Sequence, residues 1–248
     1  QFFFIFVAVC IGLGWCGGQN PGLVMFHSSG YDATLNWVEG GRAETRAVEV
    51  ADPSQFQDEA ERVVAAFSLD PRAIGDITSR PRPKSDDVDP APIHAVAVSS
   101  DGYALRFGLE GFVEPSTRAG RRYARPGEGA EIVGVERTSG KETLIAATAD
   151  ARGLLCRADE VNYLAGPGRG VILIKLASDE DRVLGFIAST GDRDLLTVET
   201  SRGAEQTVST GKYEVTGRGG KGRELLQRGK FTRIIWPVPD LPGPLSES

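Results

Sequence analysis

The chain has 248 residues, 40% of them hydrophobic and 25% charged, and 28 Lys and Arg stand against 34 Asp and Glu for a net charge of −6. That length and apolar content suffice for a buried core, built as one repeat array or as two small domains. Three cysteines and two histidines, with no Cys-x-x-Cys and no Cys/His cluster at ligand spacing, exclude a zinc module and a disulfide framework and suit a reducing compartment.

Residues Gln1 to Cys16 are nearly all apolar. The run is shorter than the roughly twenty residues that span a bilayer. It reads as the apolar core of a signal peptide whose cationic leader is missing, as a strand pair of an upstream element, or as a segment foreign to the protein. A chain opening on Gln1 is expected to be a piece of a longer reading frame. Next, Leu23–His27 and Tyr31–Trp37 flank Ser28-Ser29-Gly30, a hairpin signal with its turn glycine. The polar, acidic stretch Gly40–Asp58 precedes Glu61–Phe67, which has the character of a closing strand. Pro71 to Pro92 carries five prolines and the acids Asp86, Asp87 and Asp89. Such a segment cannot join a sheet interior and is expected to be an excursion from the array.

From Ile93 onward the chain repeats. Units begin near Ile93, Leu144 and Leu195, and a first, degraded one near Leu23. Gly102, Gly153 and Gly203 mark a first turn about fifty residues apart, and Gly120, Gly170 and Gly220 a second. A third apolar segment follows in each unit: Glu131–Val135, Arg182–Ile187 and Thr232–Trp236. Short strands between glycine turns, without sustained helical periodicity, predict an all-β, propeller-like array of about four blades in which each unit leans on its neighbours. The array covers residues 22–239, after an apolar segment 1–21 and before a disordered tail 240–248 rich in Pro, Gly and Ser. Cys156 and Trp236 are read as core.

Cations gather at the second turn: Arg118, Arg121, Arg122 and Arg125 in one unit, Arg169 and Lys175 in the next, then Arg218, Lys221 and Arg223. Singly, each run would be a solvated turn. Recurring at one phase of a propeller, they would line one edge and meet a phosphate backbone without reading bases. In the last unit four glycines, Gly217, Gly219, Gly220 and Gly222, surround Arg218 and Lys221, a loop able to bring main-chain N–H groups close to an anion. It is no nucleotide P-loop, since Gly222 follows Lys221 where that motif needs Ser or Thr. Tyr123, Tyr163 and Tyr213 recur nearby and are read as packing. Asp179, Glu180 and Asp181 form a turn run with no partner at catalytic spacing, and no nucleophile motif occurs, so no catalytic residue, metal or cofactor is expected.

Residues 22–238, and most closely Leu164–Lys175 and Val215–Gly222, resemble the C-terminal DNA-wrapping domain of the A subunit of bacterial type IIA topoisomerases, DNA gyrase and topoisomerase IV. The resemblance implies a β-pinwheel of about fifty-residue blades with a basic rim that bends DNA. Its gyrase box reads Gln-Arg-Arg-Gly-Gly-Lys/Arg-Gly, and Arg218-Gly219-Gly220-Lys221-Gly222 matches the last five positions. Thr216 and Gly217 replace the opening Gln-Arg, and the element lies in the last unit where gyrase carries it in the first blade. The resemblance implies double-stranded DNA, the rest of the A subunit and the ATPase B subunit as partners, a cytoplasmic location and no membrane. Nothing matches the family's catalytic Arg-Tyr element. A reading from another class is a β-propeller protein-interaction module, exported if the apolar N-terminus is a leader.

Overall fold

The structure, a computed structural model, describes residues 23–35, 62–68, 74–78, 80–81, 88–113 and 120–236. The described strands fall into four sheet-forming units. Unit 1 holds β1 (Leu23–His27), β2 (Asp32–Leu35) and β3 (Val63–Ser68), and a short hairpin of β4 (Arg80–Pro81) and β5 (Val88–Asp89) follows. Unit 2 holds β6 (His94–Ser99), β7 (Tyr103–Phe107) and β8 (Ile132–Thr138). Unit 3 holds β9 (Thr143–Thr148), β10 (Arg152–Arg157), β11 (Tyr163–Leu164), β12 (Val171–Ile172) and β13 (Val183–Ser189). Unit 4 holds β14 (Leu196–Thr200), β15 (Glu205–Val208), β16 (Arg223–Glu224) and β17 (Phe231–Ile235). Among the described residues from 93 onward, helix is confined to two 3-10 turns, Glu110–Phe112 and Ala158–Glu160.

Each unit forms its own antiparallel three-stranded sheet: β3-β1-β2, β8-β6-β7, β13-β9-β10 and β17-β14-β15. The fourth strand comes from the unit that follows. Strands β11 and β12 of unit 3 pair with β7 of unit 2, and β16 of unit 4 pairs with β10 of unit 3. At the start of the array Arg122 of unit 2 bridges Tyr31 of unit 1. The outer edges of β7 and β10, otherwise rows of unpaired backbone groups, are thus closed by exchange.

The exchange places every second-turn glycine. The first-turn carbonyl of each acceptor receives the donated backbone: Gly30 O from Tyr123 N at 2.8 Å, Gly102 O from Leu173 N at 2.9 Å, Ala151 O from Leu225 N at 2.9 Å. These bonds set the register of the repeat. The second-turn series is Gly120, Gly170 and Gly222, all left-handed at φ +73°, +83° and +68°; Gly220, expected from spacing, lies two residues earlier. The first-turn series is Gly30, Gly102, Ala151 and Gly203, and Ala151 at φ +56° fills the position assigned to Gly153.

Alternate side chains of the inner strands β6 and β9 enter different cores, because successive side chains point to opposite faces. On β6, Ala95 and Ala97 face unit 1, while Val96 and Val98 face unit 3. On β9, Leu144 and Ala146 face unit 2, and Ile145 and Ala147 face unit 4. A blade between two others must be apolar on both faces, so these strands read as unbroken apolar runs. Strand β14 differs. Leu196 and Val198 are buried against unit 3, whereas Thr197 and Glu199 alternate with them, and the Glu199 carboxylate accepts Arg233 Nε at 2.6 Å. Around Phe26 the rings of Phe67, Phe107, Phe112 and Tyr123 stand edge-on at 4.9–5.6 Å, contacts worth about 0.5–1.5 kcal/mol each beyond burial.

Cys156 is fully buried, and burial pushes its thiol up to about 12. Trp236, expected in the core, is instead 48% exposed at the end of β17. Residues 1–22, 36–61, 69–73, 79, 82–87, 114–119 and 237–248 lie outside the described residues, and with them the apolar N-terminus, the tail, Arg118 and much of the Pro71–Pro92 excursion, Asp86 and Asp87 included.

A Cβ at Gly102 would stand 2.3 Å from the Ile174 carbonyl oxygen of the donated strand, whereas one at Gly203 meets nothing within 4 Å. Gly203→Ala is therefore expected to cost only the left-handed strain, about 1 kcal/mol. Gly102→Ala should cost roughly 3 kcal/mol or more by displacing the strand. Urea unfolding of the two variants measures the difference; equal losses would refute exchange as the function of Gly102.

Candidate functional site

The donated segments meet one another along the outside of the array. Ala124 bridges Gly168 in parallel, and Arg125 N donates to Gly168 O at 2.9 Å. One unit further on, Ile174 bridges Gly220 and Lys175 N donates to Gly220 O at 2.8 Å. Residues 120–125, 163–175 and 216–224 therefore form one hydrogen-bonded belt over three units. All the described candidate cations lie on it: Arg121, Arg122, Arg125, Arg169, Lys175, Arg218, Lys221 and Arg223. The stretches 120–125 and 161–178 contain no acid at all.

Tyrosines hold several of these guanidiniums. Arg122 lies over the ring of Tyr31 at 4.5 Å, Arg169 over Tyr103 at 3.9 Å and Arg223 over Tyr213 at 5.8 Å. A stacked guanidinium loses side-chain freedom yet keeps its N–H edge open, so it is positioned before any anion arrives. Tyr31 and Tyr103 were missed in the sequence, although both directly follow a first-turn glycine, and that repeated Gly-Tyr pair was the signal. Tyr123 is core, with its hydroxyl donating to His27 O at 2.7 Å. Arg121 stands over Phe112 at 5.7 Å.

Acids modulate the belt. Arg169 Nη2 is 2.8 Å from Asp101, whose carboxylate also accepts the Ser99 hydroxyl. The register aligns Lys221 with Arg169 and Asp150 with Asp101, but Asp150 pairs with Lys230 at 3.0 Å and accepts the Ser178 hydroxyl. Lys221 is exposed and has no ion pair among the described residues. Asp181, read as part of an acidic turn run, is buried and accepts the backbone N–H groups of Asp150, Ala177 and Arg182. It is a loop organiser. Among the described residues no three His, Cys, Asp or Glu gather as a metal site.

Beneath the belt a buried polar group fixes the approach to β11. Arg106 of β7 donates from Nε to Val161 O at 2.6 Å and from Nη2 to Asp159 O at 3.3 Å, and Nη1 lies 3.1 Å from His94 Nε2. His94 Nδ1 lies 2.9 Å from Ala91 O, and Tyr163 stands edge-on to the imidazole at 5.6 Å. The geometry suits a neutral ring that donates through Nδ1 and accepts through Nε2. Burial lowers the His94 pKa most, the Ala91 bond partly opposes this, and Arg106 lowers it further.

The fold and site define a strand-exchanging β-propeller with a cationic rim and no catalytic constellation among its described residues. Residues 94–139 and 142–190, which span unit 2 and unit 3, match the family described as DNA gyrase C-terminal domain, beta-propeller. These two units are similar to that family, and the fold is the β-propeller type that the family's description gives. Among solved structures it is similar to the C-terminal domain of DNA topoisomerase IV, with TM-score 0.65 and 15% identity over 87% of this chain and 63% of that one. The DNA gyrase A C-terminal domain gives 0.58 and 15% over 90% and 68%, and the E. coli ParC C-terminal domain 0.58 and 17% over 88% and 82%. At these identities the structural likeness is one of fold, and the chain spans 63% of the length of that topoisomerase IV domain. No curated protein matches the chain by sequence.

The His94–Arg106 contact has a pH signature. Because the native pKa of His94 is lowered, the unfolded chain binds more protons below the ordinary value of 6.5, and stability falls as pH drops through that value. Glu136, whose carboxyl burial raises to about 7, acts in the opposite sense, destabilising as pH rises from 4.5 to 7. The difference between wild type and His94→Gln cancels Glu136. Melting curves should show the wild type losing its advantage over His94→Gln below pH 6.5. A pH-independent difference would show that His94 does not titrate in this way.

Proposed function

We propose that this chain binds and bends double-stranded DNA, without catalysis of its own, as the accessory domain of a bacterial type IIA topoisomerase in the cytoplasm. It would present the duplex to the strand-passage core formed by the rest of the A subunit with the ATPase B subunit. One observation carries this reading: three donated segments join into a single belt bearing Arg121, Arg122, Arg125, Arg169, Lys175, Arg218, Lys221 and Arg223, although the chain is acidic overall. A field of that kind is local, and the net charge does not report it. Glycines 219, 220 and 222 would keep the loop backbone low beside the duplex. The family match to units 2 and 3 supports the same reading.

Affinity would come from counterions released as the rim neutralises phosphates. Bending a 20–30 base-pair site costs about 1–6 kcal/mol, which several such contacts together offset. Flat guanidiniums on tyrosine rings supply positioned charge without a projecting base-reading element, so binding would be indifferent to sequence.

Replacing Arg122 and Arg125 with alanine is expected to reduce the log–log salt slope of duplex binding by about 1.8, or about 0.9 for each phosphate no longer neutralised. The weakening should be alike on unrelated duplexes, and linking-number change in circle ligation should fall with it. Affinity and salt slope unchanged in the double variant would reject the rim as a DNA track and favour a protein-interaction propeller.

A further inference from the structure

The loop 216–222 does not hold its two cations in the same way. Arg218 is turned onto the neighbouring unit: Nε donates to Glu160 O at 2.7 Å and Nη1 to Ile172 O at 3.2 Å. Its backbone N–H donates to the Glu160 carboxylate at 3.1 Å. That carboxylate also accepts the N–H of Arg157 at 3.0 Å and closes the 3-10 turn Ala158–Glu160 of unit 3. Gly219 N donates to Leu173 O at 2.6 Å directly beyond this contact. Lys221, three residues on, is exposed and makes no such contact among the described residues.

We propose that Arg218 is a positioning residue rather than a phosphate contact. With Glu160 it clasps the loop onto unit 3, and the clasp sets where Lys221 stands on the rim. The inference rests on the DNA-binding reading and divides the labour within the loop. A planar guanidinium with Nε and Nη1 committed to two carbonyls of fixed direction is a bracket. The carboxylate of Glu160 occupies the Arg218 amide that an anion would otherwise approach, so this end of the loop is closed to phosphate. Lys221 is a mobile point charge that suits a backbone contact requiring no fixed geometry.

The two roles predict opposite signs at Glu160. If the loop acted through charge alone, Glu160→Ala would remove a nearby negative charge and tighten DNA binding. If Glu160 is half of a clasp, the same variant loosens the loop and weakens binding. The test takes the full chain as wild type, Glu160→Ala, Arg218→Ala, Arg218→Lys and Lys221→Ala. Hydrogen exchange at the amides of Gly219 and Lys175 reads the clasp without DNA, and a salt series on a linear duplex reads binding.

We expect Glu160→Ala, Arg218→Ala and Arg218→Lys each to speed exchange at both amides at least about tenfold and to weaken DNA binding several-fold. Lysine fails here because it keeps the charge and loses the fork. Lys221→Ala should leave exchange unchanged and lower the salt slope by about 0.9. Tighter binding by Glu160→Ala, or wild-type binding by Arg218→Lys, overturns the proposal and returns Arg218 to the phosphate contacts. Faster exchange with duplex binding untouched by every variant, Lys221→Ala included, overturns the DNA reading and the positioning role with it, leaving a purely structural clasp.

Discussion

The structure depends on a close approach of two backbones. Where unit 3 is seated on unit 2 and unit 4 on unit 3, a left-handed glycine in the donated segment lies against the acceptor strand, and the acceptor's first-turn carbonyl receives the donated N–H. A Cβ at Gly170 would stand 2.0 Å from Ala104 O and one at Gly222 2.7 Å from Gly153 O. No rotamer change relieves a clash with backbone, so side chains are excluded from these positions. Everything on the rim inherits its place from this contact. The cations are carried by donated segments, and the segments touch each other only because each is seated on the preceding unit.

Exchange also explains how a modest chain presents an extended charged surface. A cation on a free loop loses much side-chain and backbone freedom when it meets an anion. Here the backbone is already fixed by pairing to the neighbouring blade, and Tyr31, Tyr103 and Tyr213 limit the guanidiniums above them. The acids are distributed unevenly. Asp101 competes for Arg169, while Asp150, at the same register, is taken by Lys230 and leaves Lys221 in solvent. On the proposed reading the rim is graded in strength along its length, since a guanidinium must leave its carboxylate before it takes a phosphate.

Much of the fold was legible because its causes are local. Glycine turns about fifty residues apart, short apolar strands and the basic phase of the second turn all leave marks in composition and spacing. The strand exchange was not legible, since β7 pairs with Tyr163 and Ile172, more than a whole unit onward, and nothing in β7 states which segment closes its edge. The two errors of register have the same origin. Spacing alone points to Gly220 and Gly153, but the junction is set by which amide reaches the first-turn carbonyl. Ala151 tolerates the left-handed position at a cost of about 1–2 kcal/mol while burying its methyl group in the core between units 3 and 4. Trp236 reads as core because it ends an apolar strand, yet it follows β17 and, among the described residues, unit 4 packs against unit 3 alone.

The clasp accounts for the form of the loop that opens at Thr216. The related element begins Gln-Arg, and this chain has Thr216-Gly217 instead. Thr216 and Gly217 both donate their N–H groups to Leu155 O, at 2.9 and 3.3 Å, which seats the loop on β10. Gly217 sits at φ +92°, and a Cβ there would lie 3.2 Å from Glu160 Oε2. An arginine at 217 would meet two obstacles, a left-handed backbone and the carboxylate that holds Arg218. The missing cation and the Glu160 clasp are thus alternatives at one place. A loop gripped by Glu160 has one fewer charge and a fixed position, whereas a loop opening on Arg would carry more charge and need another anchor. On that argument the departure at 216 and 217 is a consequence of how this blade is fastened, and the rim is weakened there in exchange for a loop whose remaining free cation is held in register with Arg169.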